Sequence, residues 1–147
     1  MLYGGLTYAM AYSSGGALNI DHCIIEQSKS RGVEIKGSAS VTNNQLSNFD
    51  TTGIYVNIGS PSISENTVTS GNYGIYVVNG TPNINSNTIS NSSNTGIYVS
   101  NGTPVISGNS LNGGSDNNYG VVIANGTATI ENNSISQFPN YEAIRLG

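Results

Sequence analysis

Charge is the scarcest property of this chain. Only 8% of its 147 residues are Asp, Glu, Lys or Arg, and it has one cysteine and no tryptophan. Four cations and eight acids give a formal net charge of −4, which argues against nucleic acid as a partner because phosphates require clustered Lys and Arg. No apolar run approaches the roughly 18 residues that cross a membrane as a helix, and no signal-peptide pattern is visible, so we predict no membrane insertion. The single cysteine, Cys23, excludes an internal disulfide.

What the chain has in abundance is repetition. A four-residue segment recurs six times at intervals of 21 to 24 residues. The clearest copies read Gly-Ile-Tyr-Val and begin at Gly53, Gly74 and Gly96, and the weaker copies span 32–35, 120–123 and 143–146. A period in this range indicates a solenoid, in which each repeat packs only against its neighbours.

Two further columns divide each repeat into three short β-segments. One is a column of turns at Gly37, Gly59, Gly80, Gly102 and Gly126. The other is a column of asparagines, each flanked by aliphatic residues at two or three positions on either side: Asn44, Asn66, Asn87, Asn109 and Asn133. Cys23 falls in the asparagine column, and we interpret it as a buried, inert end of that column.

This pattern predicts an all-β fold, a parallel β-helix of about six coils with three parallel sheets. Segments this short become stable when they stack coil on coil about 4.8 Å apart, with their aliphatic side chains in one long core. We expect each column asparagine to adopt the left-handed conformation at a sharp corner. We also expect its amide to donate to the next asparagine, which forms an internal ladder.

The column x-Ile-x-x-Asn-x-Ile, followed by Gly-Ile-Tyr-Val, resembles the right-handed parallel β-helix repeats of pectate-lyase-like proteins over residues 16–147. The resemblance implies that Gly-Ile-Tyr-Val forms the first sheet and that the asparagine ladder lies between the second and third sheets. That family includes polysaccharide lyases, hydrolases and epimerases as well as non-catalytic surface modules and phage fibres, so the fold does not choose the function.

Both ends of the chain depart from the regular repeat. Residues 1–15 hold a looser copy around Gly5–Tyr8, which we interpret as a partial N-terminal coil or cap remnant preceding the repeats of residues 16–147. Neither end shows the polar cap that usually covers a terminal coil. We therefore expect flanking coils of a longer protein or end-to-end self-association through exposed strand edges.

The outward positions of the predicted first sheet form a stripe. Its members are Glu34, Tyr55, Tyr76, Tyr98, Val122 and Arg145, and a companion row holds Lys36, Asn57, Val78, Ser100 and Ala124. In the resembling enzymes this surface holds the polysaccharide, and aromatic rings pack on the C–H faces of sugars. We therefore predict carbohydrate binding at Tyr55, Tyr76, Tyr98, Glu34 and Asn57. The alternative is that stacked tyrosines only stabilise parallel strands.

Catalytic chemistry is poorly supported by the charged residues. Asp21 and His22 lie by the asparagine corner, whereas Arg31, Glu34 and Lys36 belong to the first sheet, so we expect them to face different sides. Resembling pectate lyases hold calcium with several first-sheet acids, and Glu34 is the only acid in this stripe. We therefore predict no catalytic residues, no metal and no cofactor.

Taken together, these patterns favour a non-catalytic repeat module of an extracellular or cell-surface protein. It would act as a rigid scaffold that binds a polysaccharide along the tyrosine stripe. The main alternative is a fragment of a polysaccharide lyase, hydrolase or epimerase. A minor alternative is ice binding by a Ser/Thr-rich column that includes Thr67 and Thr69, although only this repeat has a true Thr-x-Thr. The loop from Asn112 to Tyr119 is interpreted either as one wall of a binding cleft or as an insertion without a role.

Overall fold

The structure is a computed structural model that describes residues 2–3, 18–114 and 119–147. All of the regular secondary structure within these ranges is β-strand. Most of the looser repeat at residues 1–15, and the centre of the loop between Asn112 and Tyr119, lie outside the described residues. The strands are numbered β1–β19 in chain order and fall into three sheets. The first sheet contains β4 (Arg31–Lys36), β7 (Thr52–Ile58), β10 (Tyr73–Val77), β13 (Thr95–Val99), β16 (Tyr119–Ile123) and β19 (Ile144–Leu146).

The other two sheets complete each coil. The second sheet contains β2 (Leu18–Asp21), β5 (Ala39–Thr42), β8 (Ser62–Ser64), β11 (Asn83–Asn85), β14 (Val105–Ser107) and β17 (Thr129–Glu131). The third contains β1 (Leu2–Tyr3), β3 (Ile24–Ser28), β6 (Gln45–Phe49), β9 (Thr67–Thr69), β12 (Thr88–Ser90), β15 (Ser110–Asn112) and β18 (Ser134–Ser136). Each of six coils gives one strand to every sheet, and β1 extends the third sheet by pairing with β3. Each strand pairs in parallel with the equivalent strand of the next coil. The prediction of about six coils and three parallel sheets is confirmed.

The core is a column of aliphatic side chains from all three sheets. In one coil, Ile54 of the first sheet, Ile63 of the second and Val68 of the third are each no more than 1% exposed. Register carries this arrangement along the solenoid, since Ile54 pairs with Ile75 and Ile75 pairs with Ile97. Alternation along each strand turns these residues inward and leaves their neighbours outside, which is why the sequence pattern was sufficient to predict the core.

The predicted asparagine ladder is present between the second and third sheets. Asn87 is 1% exposed, and its Oδ1 accepts from both the backbone N–H and the side-chain amide of Asn66, at 3.0 and 2.9 Å. Its own Nδ2 donates to Asn109 Oδ1 at 3.0 Å and to the carbonyl of Ile63 at 2.9 Å. The same contacts recur from Asn44 to Asn133, so the ladder satisfies backbone groups that the corner buries.

Two expectations about this corner need correction. The left-handed residue is the one that precedes each ladder asparagine, as at Asn43 and Glu65, with φ of 55° and 58°. The ladder asparagines themselves do not have a positive φ. Cys23 does occupy the ladder position, and its N–H donates to Asn44 Oδ1 at 2.9 Å. It is half-buried rather than buried, and its thiol donates to the carbonyl of Asp21, 3.3 Å away.

The glycine that opens each first-sheet segment is required by close packing. A Cβ at Gly74 would lie 2.4 Å from Cγ2 of Ile89 and 2.7 Å from the carbonyl oxygen of Gly96. In the strand register, Tyr73 pairs with Thr95 and Ile75 pairs with Ile97, and Gly74 lies between these two pairs. Tyr73 is thereby placed beside Tyr76 on the outer side of the sheet, as their ring contact shows.

No helix among the described residues combines the length and the apolar character needed to cross a membrane.

Candidate functional site

Tyrosine rings form a continuous ladder on the outer side of the first sheet. Tyr55, Tyr76 and Tyr98 pair in register on β7, β10 and β13. The Tyr55 and Tyr76 ring centroids are 5.4 Å apart at an interplanar angle of 24°, and those of Tyr76 and Tyr98 are 4.8 Å apart at 30°. These distances follow from the spacing of parallel strands, because side chains in register repeat at the coil separation. The predicted stripe therefore exists as a stack of rings.

Stacking determines which parts of the rings a ligand can reach. Tyr76 has Tyr55 against one face and Tyr98 against the other. On the far side of Tyr55, the guanidinium carbon of Arg31 lies 3.5 Å from the ring centroid. Along this part of the ladder, edges and hydroxyl groups therefore face outward while the faces are covered. Stacked and edge-to-face ring pairs each contribute about 0.5–1.5 kcal/mol beyond their buried area, so the ladder also stabilises the coils.

A fourth tyrosine, Tyr73, joins this ladder and was missed by the sequence analysis. Its ring lies edge-on to Tyr76 with centroids 5.0 Å apart, and 5.6 Å from the centroid of Tyr98. The available signal was that a tyrosine precedes the glycine in two repeats, at Tyr73 and Tyr119. Partial burial raises the pKa of both Tyr73 and Tyr76, and the neighbouring Tyr98 hydroxyl raises both further.

An ion cluster ends the ladder at β4. Arg31 Nη1 is 2.6 Å from Glu34 Oε2, and Lys36 Nζ is 3.4 Å from Glu34 Oε1. The Glu34 side chain is only 7% exposed, against 30% for Arg31 and 39% for Lys36. Because Glu34 pairs with Tyr55 in register and holds the guanidinium that covers this ring, its placement favours positioning of Arg31 over direct contact with a ligand.

The companion row is less regular than predicted. Asn57 lies in β7, half-buried, two residues beyond Tyr55. The register shifts between Ile35 and Lys36, so Lys36 pairs with Ile58 rather than with Asn57. A local bulge in the first two coils therefore separates two residues that simple alternation had placed side by side.

A cleft opens where the ladder is interrupted. Val122 of β16 pairs with Tyr98 on one side and with Arg145 of β19 on the other. The cleft has a volume of about 300 Å³, and its lining also includes Tyr119 and Thr95. Arg145 Nη1 donates to the Tyr119 hydroxyl at 2.8 Å, and its guanidinium lies 5.3 Å from the centroid of that ring.

The Asp21–His22 pair lies apart from the tyrosine ladder. Asp21 Oδ2 lies 2.8 Å from His22 Nδ1 at the end of β2, on the second sheet, whereas Arg31, Glu34 and Lys36 lie on the first. Hydrogen bonds from His22 first, and then from Asn43 and Thr42, lower the pKa of Asp21 to about 2. Within the described ranges, no group of three or more His, Cys, Asp or Glu side chains is placed to hold a metal ion.

Comparison with known families agrees with this architecture. A family model described as the right-handed β-helix region matches residues 5–145. The chain therefore belongs to the right-handed β-helix family. A search of curated proteins and a search of solved structures each returned no significant match.

Proposed function

We propose that this chain is a non-catalytic, carbohydrate-binding repeat module of an extracellular or cell-surface protein. Its coils act as a rigid scaffold, and a polysaccharide lies along the tyrosine ladder of the first sheet. The supporting observation is the ladder itself, which presents tyrosine edges and hydroxyl groups at a regular spacing on one half-exposed surface. Amphipathic rings of this kind offer apolar contact and hydrogen bonds to the same ligand at low conformational cost.

The chemistry of the surface supports binding over cleavage. Glycoside hydrolysis ordinarily needs two carboxyl groups about 5 to 9.5 Å apart. On the outer side of the first sheet Glu34 is nearly buried and engaged by Arg31 and Lys36, which suits a structural ion pair better than an acid or base. The Asp21–His22 pair lies on another sheet. The arrangement therefore suits holding a glycan more than depolymerising it.

Retention on insoluble polysaccharides tests this proposal. The wild-type chain is applied to cellulose, chitin, xylan and mannan, and to cross-linked alginate and polygalacturonate, and the same tubes are assayed for soluble product. We expect retention on at least one of them without product. Tyr76→Phe, which removes only the central hydroxyl group, is expected to weaken retention several-fold while leaving the melting temperature nearly unchanged.

A matched control comes from another surface. Thr88→Ala alters an exposed side chain on the third sheet and should leave retention unchanged. Failure of the wild-type chain to bind any of the six polysaccharides would contradict the proposed function. Release of soluble product would replace it with the enzyme alternative.

A further inference from the structure

The interruption of the tyrosine ladder at Val122 creates a space between two side chains that can each contact a flat ligand. Val122 pairs with Tyr98 of the preceding coil and with Arg145 of the following coil. We propose that one sugar ring of the bound glycan inserts here, between the outer face of Tyr98 and the guanidinium of Arg145. This inference rests on the proposed carbohydrate-binding function and names the subsite at which it is concentrated.

The spacing of the coils fits a single inserted ring. Tyr98 and Arg145 are two coils apart, which is about 9.6 Å for inter-strand spacings of about 4.8 Å. The ladder itself shows what one spacing holds, since the Tyr76 and Tyr98 centroids are 4.8 Å apart. Val122 is too short to extend between its neighbours, so the level that a ring occupies in the preceding coils becomes a cleft of about 300 Å³. That volume lies at the lower end of ligand-binding sites, as a site for one ring requires.

Tyr98 offers a ring face that Tyr55 and Tyr76 lack. Tyr76 is covered on both sides, and the outer face of Tyr55 carries the Arg31 guanidinium. Tyr98 stacks on Tyr76 with one face, and its other side borders the cleft above Val122. A pyranose can therefore stack a C–H face on Tyr98, whereas the faces of Tyr55 and Tyr76 are covered.

The rim of the cleft provides polar groups for sugar hydroxyls. The Arg145 guanidinium has five N–H donors, and its Nη1 donates to the Tyr119 hydroxyl at 2.8 Å. This bond holds the exposed arginine beside the cleft. Asn94 and Thr95 also line the cleft. Thr95 Oγ1 donates to Asn94 Oδ1 at 2.9 Å, and this hydrogen bond orients the Asn94 amide group. An apolar face with a few fixed polar groups is the usual composition of a small-ligand site.

Val122→Tyr is the decisive variant. The introduced ring would stack on Tyr98, fill the cleft and extend the ladder by one coil. We expect retention on the polysaccharide that binds the wild-type chain best to fall by about tenfold or more, because the stacking contact and the arginine contact are both displaced. The melting temperature should stay the same or rise. Val122→Ala keeps the cleft open and is expected to retain wild-type binding.

Arg145→Gln tests the same subsite independently, in case Val122→Tyr does not fold. Arg145 is exposed, so Arg145→Gln should fold normally, and we expect it to weaken retention several-fold. If the wild-type chain binds and Tyr76→Phe weakens binding, but Val122→Tyr and Arg145→Gln bind as well as wild type, the ladder is a binding surface and the inserted-ring subsite is wrong. If the wild-type chain binds none of the polysaccharides, the proposed function and this subsite both fail.

Discussion

Replacing one asparagine of the ladder by alanine should destabilise this protein more than replacing an exposed asparagine. In Asn87→Ala, the buried backbone N–H of Asn66 loses its acceptor, Asn87 Oδ1 at 3.0 Å. The carbonyl of Ile63 loses the donor that reaches it from Nδ2 at 2.9 Å. Asn109 Oδ1 keeps a donor, because the backbone N–H of residue 87 still reaches it at 2.9 Å.

The cost follows from what each group loses. The buried N–H of Asn66 is left without its acceptor, which costs about 1–3 kcal/mol, and the lost hydrogen bond to the Ile63 carbonyl adds about 0.5–1.5 kcal/mol. Together they predict a loss of about 1.5–4.5 kcal/mol in the free energy of unfolding. Water cannot easily replace the amide, since Asn87 is only 1% exposed. A loss of this size is a large share of the about 5–15 kcal/mol that stabilises a typical domain.

The assay is unfolding in urea, monitored by far-ultraviolet circular dichroism. The free energy of unfolding and its slope against urea concentration are compared between variants. Asn83→Ala is the control, because Asn83 is exposed in β11 of the same coil and should change stability by no more than about 0.5 kcal/mol. If Asn87→Ala and Asn83→Ala unfold within about 1 kcal/mol of each other, the ladder does not carry the stabilisation assigned to it.

Three further predictions concern packing and titration. Gly74→Ala should lower stability by about 1–3 kcal/mol in the same unfolding assay, because the new Cβ would overlap Ile89 and the carbonyl oxygen of Gly96. The hydrogen-bonded Asp21 has a folded-state pKa of about 2, below its ordinary 3.8. It therefore stabilises the fold above pH 3.8, and this contribution is lost as the pH falls toward 2. The melting temperature of Asp21→Asn should depend less on pH between 3.8 and 2 than that of the wild-type chain. Burial raises the pKa of Tyr76 and of Tyr73 above the ordinary 10.0, so Tyr76→Phe should lose one of the components of tyrosinate absorbance that titrate above pH 10 and should keep the component from Tyr73. The stability that Tyr76 contributes is fully present below pH 10 and should be lost as the pH rises from there through its raised folded-state pKa.

Local pattern accounted for most of the fold because a solenoid repeats its own contacts. Each aliphatic position reappears in every coil, so the periods seen in the sequence correspond directly to sheets, core and ladder. The stripe of Tyr55, Tyr76 and Tyr98 was predicted for the same reason, since alternation and a constant repeat place them in register. The sequence did not predict two local details, the left-handed residue before each ladder asparagine and the bulge at Lys36. Both depend on how neighbouring coils share hydrogen bonds.

The amino-acid sequence by itself determined the coils, the three sheets, the aliphatic core and the column of asparagines, since all of these follow from spacing along the chain. Only the tertiary structure decided the state of the surface. Stacking across coils covers both faces of Tyr76, brings Tyr73 against the ladder, buries Glu34 between two cations and opens a cleft at Val122. These features depend on side-chain directions and on contacts between residues more than 20 positions apart, which the repeat pattern does not specify.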